Sequence, residues 1–562
     1  MVSWGYIRSY LNILTMPSAD TINKRIQHLA EEDPHRKSFC FINMENVVIP
    51  LSRKQLHDWS RRYASRLKRY GIQKGDIICS LMANSRTRIV VDMGILMTGG
   101  VVCNGLPTFK DGEDFFTTLR NSKCSMIITS VDHPTFQMVK QYFVTKNFVT
   151  GKHTETIIPI QCDKAPNLKQ VIVYELRSHE DHTSFLAGLD DEDFYEADVA
   201  PEDDAYYFST SGSTGLSKLI PRTHREVLTI SGGHPVLLKD DIYFNDRTFG
   251  WLTGFPHFFM SQGLPVLVQE IFDGIKPRQV TDIWEVALNL GATCNFLFAA
   301  DIMTLKKPYE EGVFKKRIRA TLLGGQPLKQ NVLQAASLVS EVIITFYGSV
   351  DTGVIAHGTV DTKSMGKIKD CFVGKNYPYM QIRLVDETTK EVFTEPNRVG
   401  LIHVKGSTVT RRYLNTTEVP DVTDDGWTNI KDAGYYDENW NLYVIGRQSD
   451  VIVSGMFNIY PQWIEERVQK CPGIETVVIV GLPHPEATQE LCVCVVKERD
   501  STLTYAELKD FCQAMFLDGA LNFAYVPDKF VIMDSFPLLP VGKVNRKEVE
   551  KLATEHFKSI SI

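Results

Sequence analysis

The sequence holds no C-x-x-C pair, no cationic surplus, no short-period repeat and no apolar stretch clean enough to cross a bilayer. Each absence removes a class of function. Without paired cysteines, the 11 scattered cysteines offer neither a zinc site nor a disulfide framework. Cys492 and Cys494 fall in an apolar run that reads as a strand, so the thiols are expected to be buried and reduced, as in an intracellular protein. Lysine and arginine number 61 against 68 aspartate and glutamate, and the net charge of −7 gives no general attraction for nucleic acid or an anionic membrane. The most apolar stretch, FGWLTGFPHFFMSQGLPVLV, is broken by glycine, proline and polar residues, so no transmembrane segment is expected. At the N-terminus Trp4, Ile7, Leu11 and Leu14 recur at helical spacing before the first acidic residue, Asp20, a pattern that fits a packing helix better than an import segment. The C-terminal Ser-Ile-Ser-Ile is not a peroxisomal address, which leaves the cytoplasm as the expected location and mitochondria as the alternative.

What is present is the composition of a soluble globular protein, 43% hydrophobic and 23% charged, in a chain of 562 residues that is long enough for several lobes. Over 52–71 the apolar residues Leu56, Trp59, Tyr63, Leu67 and Tyr70 mark one helix face, with Ser52 to start it and Gly71 to stop it. Strand-like runs follow at 77–82, 101–103 and 126–129, with a helical pattern at 88–97. The same rhythm returns at 292–298, 320–323 and 342–347. This alternation predicts an α/β fold, a large body of βα layers around a mostly parallel sheet. Runs at 400–404 and 442–445 read as an antiparallel section. Beyond residue 447 a helix at 463–470, strands at 476–480 and 491–496 and a helix at 505–515 suffice for a small α+β domain. The expected division is a body over 1–446, a hinge over 447–455 and a mobile cap over 456–562.

The stretch 208–221, FSTSGSTGLSKLIP, concentrates hydroxyls and glycines around one lysine. It does not match G-x-x-x-x-G-K-[ST], because Gly212 and Gly215 are too close and Leu219 follows the lysine. On composition alone it fits a solvated linker. An apolar run at 205–208 before it and a helical start at 223–230 after it place it instead at a strand-to-helix junction, where free backbone N–H groups bind anions.

Five separated motifs then resemble, in order, those of the adenylate-forming superfamily, which includes acyl-CoA synthetases, aryl-acid adenylating enzymes and beetle-type luciferases. TSGSTGLSK at 210–218 resembles its phosphate loop, FYGSVDTG at 346–353 its adenine and magnesium motif, and WTNIKDAG at 427–434 its ribose-binding aspartate motif. The stretch 445–466 resembles its hinge motif, and PLLPVGKVNRKEV at 537–549 its C-terminal lysine motif. The resemblance implies a stand-alone acyl-CoA synthetase that uses ATP, Mg²⁺ and CoA, with small-molecule partners and a possible homodimer. The substrate is expected to be a fatty or other apolar carboxylic acid, its pocket including the aromatic stretch 249–259.

The same resemblance assigns roles to individual residues. Thr210, Ser211, Gly212, Ser213, Thr214, Gly215 and Lys218 hold the departing phosphates, Gly325, Gln326 and Pro327 wall the nucleotide pocket, and Tyr347 with Gly348 packs on adenine. Asp432 takes the ribose hydroxyls, as an acceptor-only carboxylate can, and Arg447 braces the ribose. Asp351 binds Mg²⁺, and Lys543 bridges the reacting carboxylate and the α-phosphate as a compact cation. Ser449 marks the hinge, and Gly455 leaves room for the thiol arm of CoA. The sequence departs from the family pattern at Val350 and Asp351, which stand where threonine and glutamate are usual, at Ser217 for proline, at Ser449 for aspartate or lysine, and at Leu539 for threonine. These departures keep two alternatives open, an adenylating enzyme with a non-CoA acceptor and a ligand-binding relative with weakened catalysis.

Overall fold

A computed structural model describes residues 20–560 apart from 105–111, 132, 134, 144–154, 210–217, 233, 235, 271–278, 326–327, 363–370, 415–418, 455–456, 485–487, 518–526, 528 and 540–543. The expected N-terminal helix around Trp4 lies outside these residues.

The helix foreseen over 52–71 runs Arg53–Arg69, and its ends have the predicted causes. Ser52 accepts from the Gln55 backbone N–H while the Gln55 side chain accepts from the Ser52 N–H, a reciprocal cap. Gly71, at φ +87°, takes the left-handed conformation that stops the helix. Helix Arg86–Met97 is buried along its whole length, because it is packed between two sheets and has no solvent face. Its charges are paired internally: Arg88 binds Asp92 at 2.6 Å, the Met82 carbonyl at 2.6 Å and the Asn104 side chain at 2.6 Å.

The first sheet has seven strands. Gln170–Tyr174, Met126–Ser130, Ile77–Leu81, Val101–Cys103 and Asp204–Ser209 run parallel in that order, with antiparallel edges Glu155–Pro159 and Leu219–Thr223. The second has fourteen. Lys37–Ile42, Val266–Gln269, Tyr243–Asn245, Cys294–Leu297, Ile318–Gly324 and Ser340–Ser349 form its parallel half. From Gly353–Asp361 onward it turns antiparallel, through Phe372–Asn376, Leu442–Arg447, Thr428–Tyr436, Gly400–Gly406 and Met380–Val385. The α/β body with an antiparallel section is therefore observed.

After Arg447 the chain leaves this sheet. Ile452–Ser454 and Phe457–Ile459 join Ile474–His484, Thr488–Lys497 and Lys529–Met533 in a separate five-stranded sheet. Along Ile474–His484 the side chains alternate between two small cores, Val477 and Ile479 on one face, Val478, Val480 and Leu482 on the other. Helices Pro461–Val468 and Tyr505–Leu517 pack on the first face and Arg546–Ile560 on the second.

One expectation is corrected. The stretch after Lys218 does not lead directly into a helix: Leu219–Thr223 pairs antiparallel with Asp204–Ser209, with Ile220 opposite Phe208, and the helix starts only at His224 behind the Thr223 cap. The strands that flank residues 210–217, themselves outside the described residues, are thus antiparallel partners. The cause is that Leu219 and Ile220 gain a buried place on the sheet edge, which local pattern does not reveal. The thiols meet their expectation: none of the eleven is in a disulfide, and all but the partly covered Cys162 are buried.

Strand Phe372–Asn376 links the antiparallel strands Gly353–Asp361 and Leu442–Arg447 of the large sheet, pairing with one on each side. Gly374 sits in it at φ +98°, where a Cβ atom would lie 2.2 Å from the His357 carbonyl oxygen and 2.4 Å from the Gly358 Cα. Gly71 has a similar φ of +87° but open space around it. Gly71→Ala is therefore expected to cost about 1 kcal/mol of backbone strain, and Gly374→Ala about 3 kcal/mol or more once backbone displacement is added. Thermal unfolding of the two variants checks this; equal shifts in unfolding temperature contradict it.

Candidate active site

Parallel sheets bind ligands beyond the C-terminal ends of their strands. Two adjacent strands of the large sheet, Ile318–Gly324 and Ser340–Ser349, end together, with Gly324 in register with Phe346. Gly324 has no room for a side chain, since a Cβ would meet the Phe346 carbonyl oxygen at 2.5 Å, and Gly325 follows at φ +80° against the Phe298 ring. This places Gly325 and Tyr347 at one strand end. Tyr347 lies inside its strand, opposite Ala356, and the strand bulges immediately after it. Gly348 is obligatory there, because a Cβ would fall 2.1 Å from the Gly353 carbonyl oxygen.

Asp432 and Arg447, fifteen residues apart in sequence, are cross-strand partners on the hairpin Thr428–Tyr436 and Leu442–Arg447. The Arg447 Nε lies 3.1 Å from one Asp432 carboxylate oxygen. The other oxygen accepts from the Tyr347 hydroxyl at 2.6 Å. Burial and the Asp432 charge push the Tyr347 hydroxyl well above the usual tyrosine range, so it stays neutral and donates. Asp432 in turn raises the Arg447 pKa, and Asp351 adds to the effect. Lys431, immediately before Asp432, takes a left-handed φ of +62°, a strained conformation for lysine, and the alternation of the strand breaks so that Asp432, Ala433 and Gly434 are buried in succession.

Asp351 sits on the tight turn between Ser340–Ser349 and Gly353–Asp361. The turn is held by the Ser349 N–H donating to the Thr352 hydroxyl at 3.2 Å and by the Thr410 N–H donating to the Asp351 carbonyl at 2.7 Å. Lys218 stands at the foot of the loop 210–217, its ammonium 4.7 Å from the centre of the Tyr413 ring. The Leu414 N–H donates to the Leu219 carbonyl at 3.0 Å. Segment 408–414 therefore touches both the stem of that loop and the turn of Asp351. Sequence reasoning did not single it out; its only local signal is the pair Arg411-Arg412 in an otherwise unremarked linker.

Of the residues expected at the site, the structure brings Tyr347, Gly348, Asp432 and Arg447 together, sets Asp351 close enough for its charge to reach Arg447, and puts Gly325 beside them. Thr210, Ser211, Gly212, Ser213, Thr214, Gly215, Gln326, Pro327, Gly455 and Lys543 lie outside the described residues. Ser449 is in the exposed 3₁₀ turn Gln448–Asp450 and donates to Asp450 at 3.2 Å. The base of the Lys543 segment is firm: Leu538 bridges Val544, and the Asn545 N–H donates to the Pro537 carbonyl at 2.8 Å. Arg546 binds Glu465 at 2.6 Å. Glu465, buried, also lies 3.7 Å from Lys329 of the body, whose ammonium reaches the Val477 carbonyl at 3.3 Å.

Much of the aromatic stretch 249–259 proves to be core. Phe249, Phe255 and Phe259 are buried and pack on Phe39 and Tyr206. His257 is tied to Ser231 at 2.7 Å and to the Leu252 carbonyl at 2.6 Å, and burial lowers its pKa to about 4, so it is neutral. Trp251, Leu252 and Phe258 are the partly exposed apolar members. Among the described residues no group of three or more His, Cys, Asp or Glu could hold a metal, and no helix is long and apolar enough to cross a membrane.

The chain matches the AMP-binding enzyme family over residues 26–414 and the AMP-binding enzyme C-terminal domain over 463–543. It is similar to a long-chain-fatty-acid–CoA ligase of Bacillus subtilis (strain 168), 24% identical with 88% of this chain and 89% of that one covered. It is equally similar to 4-coumarate–CoA ligase 2 of Nicotiana tabacum, 24% identical over 92% and 94% of the two chains. ATP-bound MatB from Rhodopseudomonas palustris shares its fold, with a TM-score of 0.74 at 20% identity over 96% of this chain and 100% of that one. With a match across more than half its length, and the second domain matched in its proper place, the chain belongs to the AMP-binding enzyme family.

Proposed function

We propose that this AMP-binding enzyme joins an apolar carboxylic acid to CoA in two steps, through an acyl adenylate. In the first, a carboxylate oxygen attacks the α-phosphorus of ATP and the bond to the β-phosphate breaks, releasing pyrophosphate. In the second, the CoA thiolate attacks the acyl carbonyl and AMP leaves. The observation that carries the reading is the convergence of Tyr347, Asp432 and Arg447, from two of the motifs and the start of the hinge, at the C-terminal end of a parallel sheet. Relatives named for fatty-acid and coumarate ligation support both CoA as the acceptor and an acid with a large apolar part.

The residues divide the work by chemistry. Asp432 offers carboxylate oxygens to the ribose hydroxyls, with Arg447 and Tyr347 fixing its orientation. Lys218 meets the departing phosphates from the foot of its loop. Lys543 meets charge that builds on the α-phosphate and the reacting carboxylate. Asp351 is an oxygen donor on a rigid turn, suited to a hard cation that keeps most of its ligands from phosphate and water, and it fits Mg²⁺ in that sense. When bound, Mg²⁺ neutralises phosphate charge. The partly exposed Trp251, Leu252 and Phe258 are the members of 249–259 available to an acyl chain.

The C-terminal domain turns on residues 447–455, with Ser449 in the exposed turn at the pivot. The present arrangement is held by the Lys329–Glu465 contact and by Gln448 donating to Glu387 at 2.7 Å. Both contacts are polar, of the kind an interface that opens can exchange for water.

Two experiments test the reading. ATP–pyrophosphate exchange across a panel of carboxylic acids should respond to fatty or aryl acids, and acyl-CoA should form when CoA is added. Lys543→Ala should depress that exchange at least a hundredfold while leaving ATP affinity within several-fold, because its contact strengthens as charge develops; near-normal exchange contradicts the role. In Gly455→Leu the two steps should separate, with exchange largely kept and thioester formation lost. A joint loss makes Gly455 a folding residue, and exchange without thioester in the parent removes CoA from the account.

A further inference from the structure

Arg222 is the second largest of the fully buried side chains. It lies on strand Leu219–Thr223, four residues after Lys218, and its two terminal nitrogens donate to the backbone carbonyls of Val350 and Thr408. Val350 immediately precedes Asp351, and Thr408 begins the segment that touches both Leu219 and the Asp351 turn. The Thr408 hydroxyl donates to the Thr352 carbonyl at 2.7 Å, completing a closed set of contacts around the turn. The one carboxylate ion-paired with Arg222 among the described residues, that of Glu226, is 3.9 Å away, beyond a hydrogen bond.

Stability alone does not account for this arrangement. Removing a guanidinium from water is costly, and an apolar side chain of similar size on a buried edge strand commonly serves stability as well or better. A rigid fork does provide one thing a methionine or leucine cannot: two fixed donors that hold carbonyls from two different segments at a set separation. Those segments connect strands of the large sheet, whereas Arg222 belongs to the seven-stranded one.

We infer that Arg222 is a positioning residue that sets the Asp351 turn relative to Lys218 and the strand Leu219–Thr223, so that Lys218 and Asp351 meet the nucleotide's phosphates and their metal at one spacing. The inference rests on the metal-binding role proposed for Asp351. It concerns a residue that touches neither nucleotide nor metal and acts only through the backbone it grips. The strand that follows Lys218 and the turn carrying Asp351 then behave as a single unit.

The test reads metal binding without turnover. Mn²⁺ replaces Mg²⁺ in the full-length enzyme with ATP and no carboxylic acid, and free Mn²⁺ is counted by electron paramagnetic resonance. Asp351→Asn should raise the Mn²⁺ half-saturation at least fivefold. Arg222→Met should do the same, and the double variant should be within twofold of Asp351→Asn alone, because both changes remove one contribution. If Asp351→Asn binds Mn²⁺ like the parent, the role of Asp351 falls and the inference with it. If Asp351→Asn is impaired but Arg222→Met stays within twofold of the parent, or the two effects multiply, Arg222 is a folding residue and only the inference falls. Should Arg222→Met not fold, Arg222→Lys carries the same test: a lysine cannot span both carbonyls, so a threefold or larger rise is expected and an unchanged half-saturation overturns the inference.

Discussion

The contact on which the rest of the site depends is the one made by the Asp432 carboxylate. One oxygen takes the Tyr347 hydroxyl at 2.6 Å and the other faces Arg447 at 3.1 Å. Tyr347 belongs to the parallel half of the large sheet and Asp432 to the antiparallel half, so this carboxylate is where the two halves are referenced to each other. Its local dielectric is low, because Asp432 is only 8% exposed, and paired charges there hold position better than they do in water. The strained Lys431 backbone beside it and the glycine-only position at 374 are the structural conditions for that meeting.

Around this point the molecule arranges rigid and movable parts by where it spends polar contacts. Helix Arg86–Met97, buried between sheets with its charges satisfied, and the doubly paired strand Phe372–Asn376 give a body that cannot shift without breaking many contacts. The C-terminal domain has its own two-faced core, and its contacts with the body include Lys329 with Glu465, Gln448 with Glu387 and Gln462 packed against Gly446. Glu465 is tied at the same time to Arg546, just past the Lys543 segment.

How much of this was legible in the sequence follows from which contacts are local. The helix Arg53–Arg69 was readable because its periodicity, its Ser52–Gln55 cap and its Gly71 stop all lie within twenty residues. Asp432 and Arg447 were singled out through motif resemblance, but the reason for their spacing, a cross-strand pairing on a bulged hairpin, is a matter of register. The helical start expected at 223–230 is observed as His224–Ile230 behind the Thr223 cap, whereas the strand character of Leu219–Thr223 comes from pairing with Asp204–Ser209 and not from its own short composition. Arg222 gives no signal, because a lone arginine in a strand ordinarily faces solvent, and the 408–414 segment offers only the Arg411-Arg412 pair. Of 249–259, three phenylalanines that suggested an acyl pocket belong to the core, and aromatic content alone could not separate the two uses.

The central claim is that Asp432 reads the ribose hydroxyls of the nucleotide. Calorimetric affinities of AMP and of 2′,3′-dideoxy-AMP for the parent and for Asp432→Ala test it most directly. A charge-assisted hydrogen bond is worth about 1.5–3 kcal/mol, so the parent should prefer AMP by at least about tenfold. In Asp432→Ala that preference should shrink to within about twofold. A variant that still binds both ligands and keeps the parent's preference contradicts the account.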